Sequence, residues 1–121
     1  MEVIQNILVG FVAFLHLGIL YMEMFLWSKP QGLKIFRIDA EFATKSAALA
    51  SNQGLYNGFL AAGLIWSLCA TNTEQRFQLK IFFLCCVLVA GIFGAMTASK
   101  NILFLQALPA LVALIFVFVT K

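Results

Sequence analysis

Residues 3–27 read VIQNILVGFVAFLHLGILYMEMFLW, an apolar run broken only by Gln5, Asn6, His16 and Glu23. A helix needs about 20 mostly apolar residues to cross the hydrocarbon of a bilayer, and this run is long enough. Inside lipid a helix satisfies its own backbone donors and acceptors, so the segment can span without outside partners. Three similar runs follow, at about 46–70, 77–98 and 102–120. The expected architecture is all-α: an antiparallel four-helix transmembrane bundle forming a single integral membrane domain over residues 1–121.

Composition supports that reading. Of 121 residues, 63% are hydrophobic and 11% are charged, against about 45–50% and about 25% in soluble domains. A soluble domain of this size has too little interior to hide such a surplus, so the lipid bilayer is the expected partner. The net charge of +3 and the lack of a basic patch interleaved with aromatics exclude a nucleic-acid surface. Cys69, Cys85 and Cys86 are odd in number and sit among apolar neighbours. They read as small buried hydrophobes, not as a disulfide framework or metal site. The first run begins with Glu2, not a basic stretch, and is longer than the apolar part of a signal peptide, so it reads as a retained helix.

Between the first two runs, Ser28 to Gly32 breaks the helix with Pro30 and Gly32. Residues 33–45 mix charge with Leu33, Ile35, Phe36, Ile38 and Phe42. This is a short amphipathic loop suited to the headgroup region. Asp39 is a candidate N-cap, with Glu41 in the first turn, for a helix running from about Ala40 to Ala70. Residues 71–75 read as a polar turn, Lys80 is near enough to a helix end to snorkel, and Ser99-Lys100-Asn101 reads as a tight connection. Pro109 is placed to kink the last helix. Trp27 and Trp66 suit the interfacial belt.

Counting Lys and Arg sets orientation. Lys29, Lys34, Arg37, Lys45 and Lys100 share one side, with Arg76, Lys80 and Lys121 on the other. Five against three puts the loop side in the cytoplasm. Both termini are then outside it, in a multi-pass protein of the cell membrane. Small residues recur four apart at Gly54, Gly58 and Ala62, and at Gly91, Ala95 and Ser99. Such faces allow close helix contact within the chain or in a homo-oligomer.

Ionisable groups within a span are costly and usually face a bundle interior or a cavity. His16 and Glu23 are seven apart, two turns along one face. Asn52, Gln53, Tyr56 and Asn57 share a face of the second helix. Antiparallel packing brings Glu23 level with Asn52, Gln53 and Asn57, with Lys100, Asn101 and Gln106 near the same end and His16 deeper. One polar ligand-binding pocket of Glu23, Asn52, Gln53, Tyr56, Asn57 and His16 is expected. The bland alternatives are a Glu23 that reaches headgroups, amides that merely join two helices, and a packed His16.

The run Leu20-Tyr21-Met22-Glu23-Met24-Phe25-Leu26-Trp27, with the Pro30 and Gly32 turn after it, is one half of a resemblance. The run Asn52-Gln53-Gly54-Leu55-Tyr56-Asn57-Gly58-Phe59-Leu60-Ala61-Ala62-Gly63-Leu64 is the other. Together they resemble the bacterial integral membrane family catalogued as domain of unknown function 1304, over essentially the whole chain. The resemblance implies a standalone four-span bacterial protein of about this size, and no established activity. The sequence around Glu23 does not match small multidrug exporters, and no motif of emopamil-binding sterol isomerases is present.

Three functions are consistent with these residues. The leading one is binding or transport of a small amphipathic or cationic molecule, with Glu23 as charge partner and Asn52, Gln53 and Asn57 orienting it. The second is an acid–base enzyme acting on a lipid-like substrate through His16 and Glu23. Those two lie about 10 Å apart along a helix axis, so they could flank a substrate without touching. The third is an accessory protein acting through helix contacts. No nucleophile elbow, phosphate-binding glycine loop or metal-ligand cluster is present, so neither a metal nor a cofactor is expected.

Overall fold

The computed structural model describes residues 2–97, 101 and 103–121. Every regular element among them is helical. They are α1 (Glu2–Tyr21), a π-helical turn (Met22–Leu26), α2 (Pro30–Phe36), α3 (Ala40–Cys69), α4 (Thr73–Thr97), a second π-helical turn (Leu103–Ala107) and α5 (Leu108–Val119). Two stretches are long and apolar enough to cross a membrane, Glu2–Leu26 and Thr73–Thr97, and Leu103–Val119 is a shorter apolar helix. The connection assigned to Ser99 and Lys100 lies outside the described residues.

Local chemistry explains the boundaries. Pro30 stands at the first position of α2, where its missing N–H costs nothing and its fixed φ suits a helix start. The breaker expected here therefore opens a short helix as well as closing α1. Gly32 makes the turn feasible: a Cβ there would lie 1.8 Å from the Leu26 carbonyl oxygen. Arg37 ends α2 in the left-handed region, at φ 55°, and its N–H bonds to the Leu33 carbonyl. Asp39 caps α3 by accepting a 2.7 Å bond from the Phe42 N–H. Asn72 caps α4 by accepting one from Gln75 at 2.9 Å. That cap draws Thr73, Glu74 and Gln75 into the first turn of α4, where the sequence reads as loop. At the last helix, the second π-helical turn ends two residues before Pro109. A π-turn shifts the hydrogen-bond ladder where proline lacks a donor and crowds the carbonyl four residues back.

The chain forms two compact units, Met1–Leu15 with Leu60–Lys121, and His16–Phe59. In the first, Val9, Val12 and Ala13 of α1, Leu64 of α3, Leu84 and Val87 of α4, and Ala110, Ala113, Leu114 and Val117 of α5 make one apolar cluster. Gly91 lets α4 approach the second π-helical turn, since a Cβ there would lie 2.7 Å from the Ala107 nitrogen. Gly63 accepts the face of the Phe83 ring in the same way.

In the second unit, Gly54 and Gly58 of α3 receive Leu20, Glu23 and Met24. Trp27 donates to Ser46 Oγ at 3.0 Å and packs on Phe36 with ring centroids 4.7 Å apart. The faces read as close-packing thus make contact within one chain at Gly54, Gly58 and Gly91, while Ala62 is exposed and Ala95 half-buried. Two readings change. Cys69 and Cys85 are exposed and Cys86 is half-buried, because their helix faces turn away from the apolar cluster. Lys80 does not snorkel; it is buried, for the reason given below.

Candidate functional site

Glu23 lies on the π-helical turn Met22–Leu26. Such turns take one more residue per hydrogen-bonded loop than an α-helix and occur often at functional sites. The wider winding carries Glu23 and Met24 onto α3 where α3 has no side chain. An added Cβ on Gly54 would lie 2.6 Å from Met24 Cγ and 3.2 Å from Glu23 Cβ, and one on Gly58 would lie 2.6 Å from Leu20 Cδ1. Asn57 sits between these two glycines on the same helix and is 8% exposed. Its Nδ2 donates to Glu23 Oε1 at 2.8 Å and to the Gln53 carbonyl at 3.1 Å. The Gly-x-x-Asn-Gly spacing supplies room for the backbone approach and, in between, a donor for the carboxylate.

The other residues named from sequence are placed differently. Asn52, Gln53 and Tyr56 have exposed side chains, and the Tyr56 ring stands edge-on to Phe59 at 6.0 Å. His16 is fully buried on α1, at 0% exposure. Asn101 is exposed and Gln106 half-buried; Lys100 lies outside the described residues. The structure brings Glu23 and Asn57 into contact and leaves Asn52, Gln53 and Tyr56 on the outward side of α3. No group of three or more His, Cys, Asp or Glu able to hold a metal ion occurs among the described residues.

A second polar cluster lies in the other unit. Lys80 of α4 is 2% exposed, and its ammonium donates to Gln5 Oε1 at 3.1 Å and Asn6 Oδ1 at 2.9 Å. The Gln5 amide donates to Thr120 Oγ1, and that hydroxyl donates to the Phe116 carbonyl at 2.6 Å. An amide chain reaching from α1 holds the charge inside, because a buried ammonium is tolerable only with hydrogen-bond acceptors around it. The signal was present in the sequence: Gln5 and Asn6 are polar within a span, as Glu23 is. Nearness to a helix end favoured an outward Lys80 instead.

These features define a small all-α protein with two membrane-length apolar helices and two polar clusters set among apolar surfaces. The chain belongs to the family described as protein of unknown function DUF1304, whose model matches residues 10–118. It is 30% identical over 117 residues to the uncharacterized protein YpaA of Lactococcus lactis subsp. lactis strain IL1403, covering 95% of this chain and 97% of that one. No solved structure matches it.

Proposed function

We propose that this is a multi-pass protein of the bacterial cell membrane that holds a small cationic or amphipathic molecule at the Glu23–Asn57 pair. The membrane part rests on where the apolar side chains lie. Only 28% and 22% of the apolar windows of the two long helices are buried, whereas a core helix of a soluble protein is mostly buried. Phe14, Leu49 and Met96 are each at least 70% exposed, on α1, α3 and α4. So much apolar area facing outward exceeds what soluble monomers carry. An outward apolar face on α3 and α5 as well favours four spans, with both termini extracytoplasmic by the charge count.

The observation that carries the binding role is the 2.8 Å contact between Glu23 and Asn57 on a π-helical turn within the first apolar stretch. A carboxylate so held is a ready counter-charge for a lipophilic cation, and a proton competes for the same oxygens. The test uses full-length protein in liposomes with tetraphenylphosphonium as probe. Wild type should bind more tightly at pH 8 than at pH 6, and Glu23→Gln should lose at least tenfold in affinity together with the pH dependence. Binding unchanged in Glu23→Gln would refute the role.

A structural reading has its own observation, the tight fit of Met24 and Glu23 over Gly54. In that reading the carboxylate is a clip between helices. Glu23→Gln, which preserves a hydrogen bond to Asn57, would then leave every property near wild type, whereas Asn57→Ala would destabilise the fold.

A further inference from the structure

Lys80 raises a question that its acceptors do not answer. Gln5, Asn6 and Thr120 are neutral, and no described carboxylate forms an ion pair with Lys80. The buried charge therefore has hydrogen bonds and the more distant influence of Glu2, but no direct ion pair, although burial makes a close counter-ion valuable. Beside it is a cavity of about 80 Å³, bounded by Gln5, Arg76, Phe77, Lys80, Thr120 and Lys121, with Glu2, Thr73 and Glu74 at the exposed rim. That volume exceeds the ~30 Å³ share of one liquid water and suits a group of a few heavy atoms.

The side chains of Arg76, Lys80 and Lys121 line this space together with the carboxylates of Glu2 and Glu74 and the main chain of Lys121. Glu2 is engaged by Arg76 only at 3.4 Å. Arg76 is positioned by the connection between α3 and α4: its Nη1 donates to the Ala70 and Thr71 carbonyls at 3.0 and 3.1 Å. Lys121 is held over the Phe77 ring at 4.0 Å. The cavity also gathers helix ends, since α1 begins at Glu2, α4 begins at Thr73 and α5 ends at Val119. The N-terminal ends of α1 and α4 favour negative charge.

We infer that this cavity is an anion site for a single phosphoryl group, with Lys80 as the buried counter-charge and Arg76 and Lys121 at its entrance. The group is presented by an anionic phospholipid headgroup or by free phosphate. The lipid source rests on the membrane reading above, because helix ends of a spanning protein lie at headgroup depth; the free source does not.

Native mass spectrometry of the full chain in neutral detergent tests this, with phosphatidylglycerol, phosphatidylcholine and inorganic phosphate offered separately. Wild type should retain phosphatidylglycerol at least tenfold better than phosphatidylcholine, or else bind inorganic phosphate. Lys80→Met should lose at least tenfold of that binding, while Lys80→Arg keeps most of it. Lys121→Gln, a change at an exposed position, should lose about threefold and covers the case in which Lys80→Met fails to fold. Phosphate binding without lipid preference identifies a soluble ligand and supports the site. Absence of preference for either anion, or equal binding by wild type, Lys80→Met and Lys121→Gln, overturns it. Failure of the protein to float with vesicles would overturn the membrane reading while leaving the phosphate arm readable.

Discussion

Gly54→Ala offers a direct measure of how closely the Glu23 turn is packed on α3. The new methyl would sit 2.6 Å from Met24 Cγ, 3.2 Å from Glu23 Cβ and 3.2 Å from the Leu20 carbonyl oxygen. Carbon atoms in contact prefer about 3.5–4.0 Å, so the Met24 contact falls short by about 1 Å. Met24 Cγ is near the root of its side chain, and the Leu20 oxygen is backbone, so neither can simply swing aside. Overpacking of this kind costs about 1–3 kcal/mol. Gly18→Ala is the matched control, because its Cβ would meet nothing within 4 Å. Both changes carry the same gain in helix propensity, about 1 kcal/mol, so their difference isolates the clash. Equilibrium unfolding in mixed detergent micelles, followed by Trp27 fluorescence in a Trp66→Phe background, should show Gly54→Ala less stable than Gly18→Ala by about 1–3 kcal/mol. Equal stabilities would refute the close approach of the turn to α3, and the Glu23–Asn57 contact would lose its steric basis.

Further outcomes follow from the same geometry. Arg37 occupies the left-handed region at φ 55°, which costs a residue with a Cβ about 1–2 kcal/mol; Arg37→Gly should raise the unfolding midpoint, and a lower one would contradict that backbone. Asp39→Ala removes the acceptor of the Phe42 N–H and should cost about 1 kcal/mol, with hydrogen exchange accelerating in the first turn of α3 and not elsewhere. Trp27→Phe keeps the ring against Phe36 but deletes the bond to Ser46. A loss of about 0.5–1.5 kcal/mol is expected in equilibrium unfolding followed by circular dichroism, with Trp66 retained, and no loss would mean that water replaces the bond at no cost.

The parts of the molecule visible in the sequence are those governed by local rules. Asp39 precedes a helix with the cap chemistry its side chain dictates, and α3 ends where polar residues begin after Cys69. Gly54 and Gly58 marked a close approach, and Asn57 a polar group level with Glu23. The outward placement of Asn52 and Gln53 was not legible, because polarity marks a face without saying what the face meets. Burial of Lys80 depends on Gln5 and Asn6, some 75 residues earlier in the chain, and on Thr120, which holds Gln5. No periodicity links these. The π-helical turns are not legible either, since side chains such as those of Met22, Met24, Phe25 and Leu26 suit either winding.

That turn makes the carboxylate's position a matter of count as well as identity. Successive residues on a helix point about 100° apart. Deleting Met22 alone would allow ordinary α winding from Tyr21 onward and swing Glu23 away from Asn57, although neither residue had changed. Two chains of this kind could therefore carry the same glutamate and asparagine and differ in whether the two ever meet, through a single residue's difference in length.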